Sequence, residues 1–210
     1  PVASPGPMAN HAAARLNDGS VLVLGGYSGY TGSSPDFLLH AMRYNVTADT
    51  WTFAGQHDLY EAIGVTLGDG RVIAVARGWG GWKLYNPADN SWTILSGMPP
   101  VNWDRFWGVS ATAHGGGVYF AGYGEAISYN AGWSGISTLL RNRAYHAATS
   151  VNGGVMLVGG WKPDYSIKYT EAEVGGASAG HLGVARSWHT ATTLQDGRVL
   201  VVGGQGAGIT

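Results

Sequence analysis

One pattern constrains this chain more than any other: a short strand, a tight turn ending in glycine, then a Val- and Leu-rich strand. Its clearest copies stand near the two ends. The first is His11-Ala-Ala-Ala-Arg-Leu16, Asn17-Asp-Gly19, Ser20-Val-Leu-Val-Leu24-Gly25-Gly26. The second is Trp188-His-Thr-Ala-Thr-Thr-Leu194, Gln195-Asp-Gly197, Arg198-Val-Leu-Val-Val202-Gly203-Gly204. Between them, Val72–Val75, Val118–Ala121 and Val155–Val158 follow the turns Gly68-Asp-Gly70, Gly115-Gly-Gly117 and Asn152-Gly-Gly154. Asp-Gly and Gly-Gly supply the positive φ angles of a tight hairpin, so five antiparallel hairpins are predicted.

The first strands are small and half-polar, as in Gly64-Val-Thr66, Ser110-Ala-Thr112 and Ala147-Ala-Thr-Ser150. Small side chains suit strands that converge on a crowded axis. The apolar second strands suit burial between neighbouring sheets. A third strand carries Tyr44, Tyr85, Tyr129 or Tyr169, and a fourth carries Trp51 or Trp92, each Trp seven positions after its Tyr. The same spacing puts Ile136 and Gly176 in the third and fourth repeats. Four strands per repeat, at intervals of about 40 to 50 residues, predict propeller blades.

This order resembles the kelch repeat, in the version found in galactose oxidase and glyoxal oxidase propellers. The resemblance implies an all-β β-propeller in a single domain over residues 1–210. Its blades would span about 10–57, 60–98, 105–140 and 143–178, with a partial fifth at 186–210. Ala76-Arg77 and Gly122-Tyr123 replace the glycine pair in the second and third repeats. Kelch-like rings usually hold six or seven blades, so further blades, or self-association with another copy, are expected at the open edges. Pro1, with no signal-like segment before it, reads as the start of a processed or excised piece.

Composition narrows the partners. Charged residues are 12% of the chain and the formal net charge is −1, which leaves no footprint for nucleic acid or an anionic membrane. No apolar run reaches spanning length, so no membrane insertion is expected. Cysteine is absent, which removes disulfides, thiolate metal sites and Cys nucleophiles.

In a four-stranded blade, the loops from second to third strand and from fourth to the next first strand leave at the same end. Here these are the long, aromatic segments. They hold six of the nine tryptophans: Trp79, Trp82, Trp103, Trp107, Trp161 and Trp188. With them run Asp104, Arg105, Arg143, Tyr145, Lys162, Asp164 and Arg186. Flat apolar rings stack on sugar faces or anchor protein loops, and charged neighbours orient the ligand, so these thirteen residues form the candidate binding set. The alternative is local core over the blade tops, with Arg105 and Asp104 paired to each other.

His11, His146 and His189 open equivalent first strands, and three convergent imidazoles could hold a metal. The repeat itself calls for a histidine there, hydrogen-bonded to backbone, so no metal is assigned. No metalloprotease motif, phosphate-cradling loop or nucleophile elbow occurs. Gly203-Gly-Gln-Gly206 is followed by no helix pattern, and no carboxylate pair stands out for glycoside hydrolysis. No catalytic residue and no cofactor is therefore expected.

The resemblance raises a second reading. Galactose oxidase-like enzymes hold copper with two Tyr and two His, one Tyr being cross-linked to Cys. That cofactor cannot form within a chain lacking Cys, although a longer native chain would leave the oxidase reading open. Asn45-Val46-Thr47 is an N-glycosylation acceptor triplet in a predicted exposed turn, and it inclines the chain toward an extracellular or cell-surface setting. The sequence thus favours a non-catalytic module binding a glycan or protein. A piece of a copper-radical oxidase and a structural propeller within a larger surface or viral assembly are the alternatives.

Overall fold

The computed structural model describes residues 6–76, 81–97, 101 and 108–206. Two compact units divide the chain, Pro1–Met98 and Pro99–Thr210. Strands and turns make up both, and no helix occurs among the described residues.

In the first unit, β1 (Ala12–Arg15) and β2 (Val21–Leu24) form the leading hairpin. A small separate hairpin, β3 (Tyr27–Thr31) with β4 (Ser34–Phe37), occupies the long loop that follows. β5 (His40–Asn45) and β6 (Thr50–Gln56) complete a sheet ordered β1-β2-β5-β6. The next sheet runs in chain order through β7 (Ala62–Thr66), β8 (Val72–Ala76), β9 (Trp82–Asn86) and β10 (Ser91–Ile94).

The second unit opens with β11 (Ser110–His114), β12 (Gly117–Gly122), β13 (Glu125–Tyr129) and β14 (Ser137–Thr138). Another sheet follows from β15 (Ala147–Val151), β16 (Gly154–Val158), β17 (Glu171–Val174) and β18 (Ala177–His181). Each is a four-stranded antiparallel sheet in sequence order. Of the last repeat there is β19 (Arg186–Ser187), then the hairpin β20 (Thr190–Thr193) and β21 (Val199–Val202), then β22 (Gln205–Gly206), which pairs with β19.

The hairpin turns form for local reasons. Asp18, Asp69 and Asp196 each accept a backbone N–H two residues on, from Ser20, Arg71 and Arg198, at 3.0 Å. The glycine after each Asp sits at φ of 84°, 90° and 84°, where a β-carbon is costly. Register then follows from the turn, for example Ala12 opposite Leu24 and Ala14 opposite Leu22.

Within each unit the small first strands lie against one another: β1 beside β7, β11 beside β15, β15 beside β20. Gly64 shows the crowding, since an added β-carbon would lie 3.2 Å from Leu24 Cδ2 and 3.5 Å from Ala12 Cβ. β8 is buried along its whole length, as a strand covered on both faces should be. β21 is the exception. Leu200 and Val202 are 49% and 53% exposed, whereas their counterparts Leu22 and Leu24 are at 0% and 1%, because no described residue covers that face.

The Tyr–Trp ladder differs from expectation in two repeats. Tyr44 meets Trp51 with ring centroids 4.9 Å apart, and Tyr85 meets Trp92 at 5.0 Å, as the seven-residue spacing implied. In the third repeat the partner of Tyr129 is Trp133, at 5.0 Å and bridged to it through the backbone, while Ile136 is exposed. A tighter turn, with Asn130 N–H bonded to Gly132 O, brings the fourth strand back three residues sooner. In the fourth repeat Tyr169 precedes the third strand instead of riding on it. Its hydroxyl donates to Asn142 O at 3.2 Å.

Candidate functional site

The glycine pair joins one blade to the next. Gly26 N–H donates to Tyr60 O at 2.6 Å and Gly160 N–H to Arg186 O at 2.8 Å, in each case to the residue chain entering the following blade. Tyr123 N–H makes the equivalent bond to Arg143 O at 2.8 Å. The second glycine also packs on the first strand of its own blade: an added β-carbon on Gly160 would stand 2.6 Å from Ala144 O and 2.9 Å from His146 Cβ.

Beside this junction the entering residue adopts a left-handed conformation: Asn10 at φ 55°, Tyr145 at φ 56°, Trp188 at φ 54°. Asn takes that backbone readily. A bulky L-residue does so at a cost of about 1–2 kcal/mol. Tyr165, in the loop between β16 and β17, is also left-handed at φ 60°.

These strained aromatics gather in the second unit. Tyr145 lies 5.0 Å from Trp188 and 6.2 Å from Tyr165, ring to ring, and its hydroxyl is 3.2 Å from that of Tyr165. Trp161 stands edge-on to Tyr165 at 5.7 Å and to Trp188 at 6.5 Å. Lys168 Nζ sits 4.3 Å over the Trp161 ring while donating to Gln205 O and Gly206 O at 3.0 and 2.8 Å. Trp188 and Tyr165 are 53% and 54% exposed, so the cluster presents aromatic faces to water above a half-buried base of Tyr145 and Trp161. Trp161 Nε1 is buried with no hydrogen-bond partner among the described residues.

Of the thirteen expected site residues, Trp79, Trp103, Asp104, Arg105 and Trp107 lie outside the described residues. Tyr145, Trp161 and Trp188 come together. Trp82 does not belong to a loop: it pairs with Val75 in β9 and is buried. Arg143 is wholly buried, and its Nη1 donates to Gly159 O at 2.8 Å and Glu171 O at 2.9 Å. Its Nε stands 3.6 Å from the buried Glu173 carboxylate. Burial pushes the Glu173 carboxyl up and Arg143 down, against the pull of each on the other. Arg143 is thus a strut under the site.

Lys162 and Asp164 pair with each other at 2.7 Å on the surface, which holds the Asp164 carboxyl well below its usual range, with help from Ser166. Arg186 donates to Gly203 O at 3.0 Å. Tyr165 and Lys168 escaped the sequence reading. Tyr145, Trp161 and Trp188 recur at no fixed period, but Trp161, Tyr165 and Lys168 fall within one loop, a signal within reach of the sequence.

The first-strand histidines differ. His11 is exposed, whereas His146 and His189 are buried. His146 shares a hydrogen bond of 2.7 Å with Ser110 Oγ, and burial, then the nearby Arg143, pushes its pKa down to about 3. In the first unit His57 accepts from Leu59 N–H at 3.2 Å, and burial lowers it to about 4. Among the described residues no three of His, Asp or Glu gather as a metal set.

The two low values carry a sign. Between pH 6.5 and the folded value, the unfolded chain binds a proton that the folded chain refuses, so stability falls as pH falls through that window. The expected slope is about 1.4 kcal/mol per pH unit per histidine below about pH 6, or ~3 kcal/mol for either by pH 4. Urea melts of the full chain from pH 7 to 4 test this. His146→Gln and His57→Gln should each flatten the profile of their own unit. An unchanged profile in both would refute it.

No protein-family model matches this chain, and no curated protein matches it in sequence. Solved structures do. A novel fungal alcohol oxidase of the AA5 family, in complex with copper, superposes with a TM-score of 0.73 at 19% identity, over 95% of this chain and 47% of that one. YjhT superposes with a TM-score of 0.74 at 12% identity, over 99% of this chain and 80% of that one. The chain spans about half the length of the oxidase. Identities this low speak for the fold alone. With four-stranded antiparallel sheets in both units and neighbours of these kinds, the chain has an all-β fold of β-propeller type.

Proposed function

We propose that this chain is a non-catalytic recognition module, extracellular or at a cell surface, that binds a glycan through the cluster of Tyr145, Trp161, Tyr165 and Trp188. One observation carries the reading: bulky aromatics occupy backbone positions where a repeat-equivalent residue, Asn10, sits without strain. Strain held by the surrounding fold collects at functional sites. Exposed indole and phenol faces stack on the apolar face of a pyranose, while the Lys162–Asp164 pair and the tyrosine hydroxyls offer hydrogen bonds at the rim. A protein loop is the other ligand that such a surface would accept. The bare face of β21, with Leu200 and Val202, suits a further blade or a second copy.

The test is a panel of immobilised oligosaccharides probed with the parent chain, Trp161→Ala and Trp188→Asn. Both variants are expected to lose binding at least tenfold. Trp188→Asn should meanwhile raise stability by up to about 1 kcal/mol, since Asn relieves the left-handed strain. Unchanged binding in both variants would overturn the assignment.

The fungal alcohol oxidase supports a second reading, in which these residues are the propeller part of a longer copper-dependent oxidase. The residues present do not supply that centre. The sequence has no Cys, and the described residues bring no three of His, Asp or Glu together. Copper-dependent peroxide release from an alcohol by a longer native chain would favour this reading.

A further inference from the structure

Asn45-Val46-Thr47 is used by neither reading above. Asn45 ends β5 and Thr50 begins β6, and residues 45 to 49 between them are exposed, with Val46 58% in solvent. Asn45 Oδ1 accepts backbone N–H bonds from Thr47 and Ala48, both at 3.0 Å. The amide oxygen is thereby committed to the turn, and the Nδ2 has no hydrogen-bond partner among the described residues. Beside it lies a shallow concavity of about 240 Å³ lined by Asp18, Gly19, Ser20, Asn45, Val46 and Thr47, polar enough to lie against a sugar.

The second blade provides an internal comparison. Asn86 closes the same turn, with Oδ1 accepting Ala88 N–H at 3.2 Å. There Pro87 follows the Asn and Ala88 replaces the hydroxyl residue, so the geometry is kept and the acceptor chemistry is missing. The triplet is therefore not required to build the turn.

We propose that Asn45 is an acceptor for an N-linked glycan and that the folded turn carries the sugar without rearrangement. The donor is a lipid-pyrophosphate-linked oligosaccharide, brought by a transferase of the secretory pathway. Nδ2 bonds to the anomeric carbon, the bond from that carbon to the phosphate oxygen breaks, and the pyrophosphate leaves with the electron pair. The proton lost from the amide passes to a base of the transferase.

The full chain, led into the secretory pathway of a eukaryotic cell, tests this by peptide mass spectrometry before and after peptide N-glycosidase. The expected result is a HexNAc-initiated glycan on the peptide bearing Asn45 and none on the peptide bearing Asn86. Asn45→Gln, Val46→Pro and Thr47→Ala should abolish it, and Thr47→Ser should retain it. The glycosylated protein and Thr47→Ala, which keeps the Asn45 turn bonds, should melt at the same temperature. An unmodified Asn45, in secreted protein or in the microsomal fraction where secretion fails, overturns the proposal if a co-expressed acceptor protein is glycosylated in the same cells. A glycosylated form that melts well below Thr47→Ala overturns it too, because the turn would then not accommodate the sugar. Neither result bears on the aromatic cluster, whose ligand is tested separately.

Discussion

Gly160→Ala is expected to cost at least about 4 kcal/mol, enough to unfold a domain of ordinary stability. Two effects add. Gly160 sits at φ 93°, outside the range an L-residue accepts cheaply, and its new β-carbon would meet Ala144 O at 2.6 Å, His146 Cβ at 2.9 Å and His146 N at 3.1 Å. Two of those atoms are backbone, so the strand cannot yield without breaking the Gly160–Arg186 bond to the next blade. Gly153 separates the two effects. It has nearly the same backbone, at φ 95°, with nothing within 4 Å of an added β-carbon. Gly153→Ala should cost only about 1–2 kcal/mol, the conformational part alone. Urea midpoints of the two variants give the difference directly. Equal losses would mean that the glycine pair serves the turn and not the close approach.

The second large effect is expected at Arg143. Its removal leaves Gly159 O and Glu171 O without their guanidinium donor and strands the Glu173 carboxylate in a site that is 1% exposed. Arg143→Ala should therefore cost about 3–5 kcal/mol. Lysine should rescue little, because a single ammonium cannot span two carbonyls and a carboxylate as a planar fork does. The pH dependence has a definite sign. Without its cation, Glu173 is raised by burial still further above its unfolded value, so the folded variant prefers the protonated acid. Stability contributed by that proton is present at low pH and lost as pH rises. The defect of Arg143→Ala relative to the parent should thus be larger at pH 8 than at pH 5. Arg143→Met with Glu173→Leu should recover much of the loss, since no buried charge remains. A double variant as unstable as the single one would show that the carbonyl bonds, not the charge, hold this place.

The two positions also mark what could be read from residues in order. Asp18-Gly19 and Asp196-Gly197 specify their turns through contacts two residues long, so the hairpins were legible wherever the pair appeared. The small first strands announced a crowded centre because Ala12, Ala14 and Gly64 have no other reason to replace Val or Leu. Trp133 was missed for the opposite reason. A turn three residues shorter moves the aromatic off the expected spacing, and only the pairing with Tyr129 reveals it. Arg143 and Trp82 read as site residues because their neighbours in sequence are loop-like, yet both face inward.

Local chemistry in the chain was enough to determine the hairpins, their register, the four-strand repeat and the all-β class, since each depends on turn residues and alternation within a few positions. Which aromatics meet was decided only by tertiary structure. Tyr145, the Trp161–Tyr165 pair and Trp188 belong to three separate loops, and the blade-to-blade bond of Gly160 to Arg186 helps bring those loops together. Burial of Arg143 and exposure of Leu200 were decided there as well, because solvent access depends on what lies across the sheet and not on what lies along the chain.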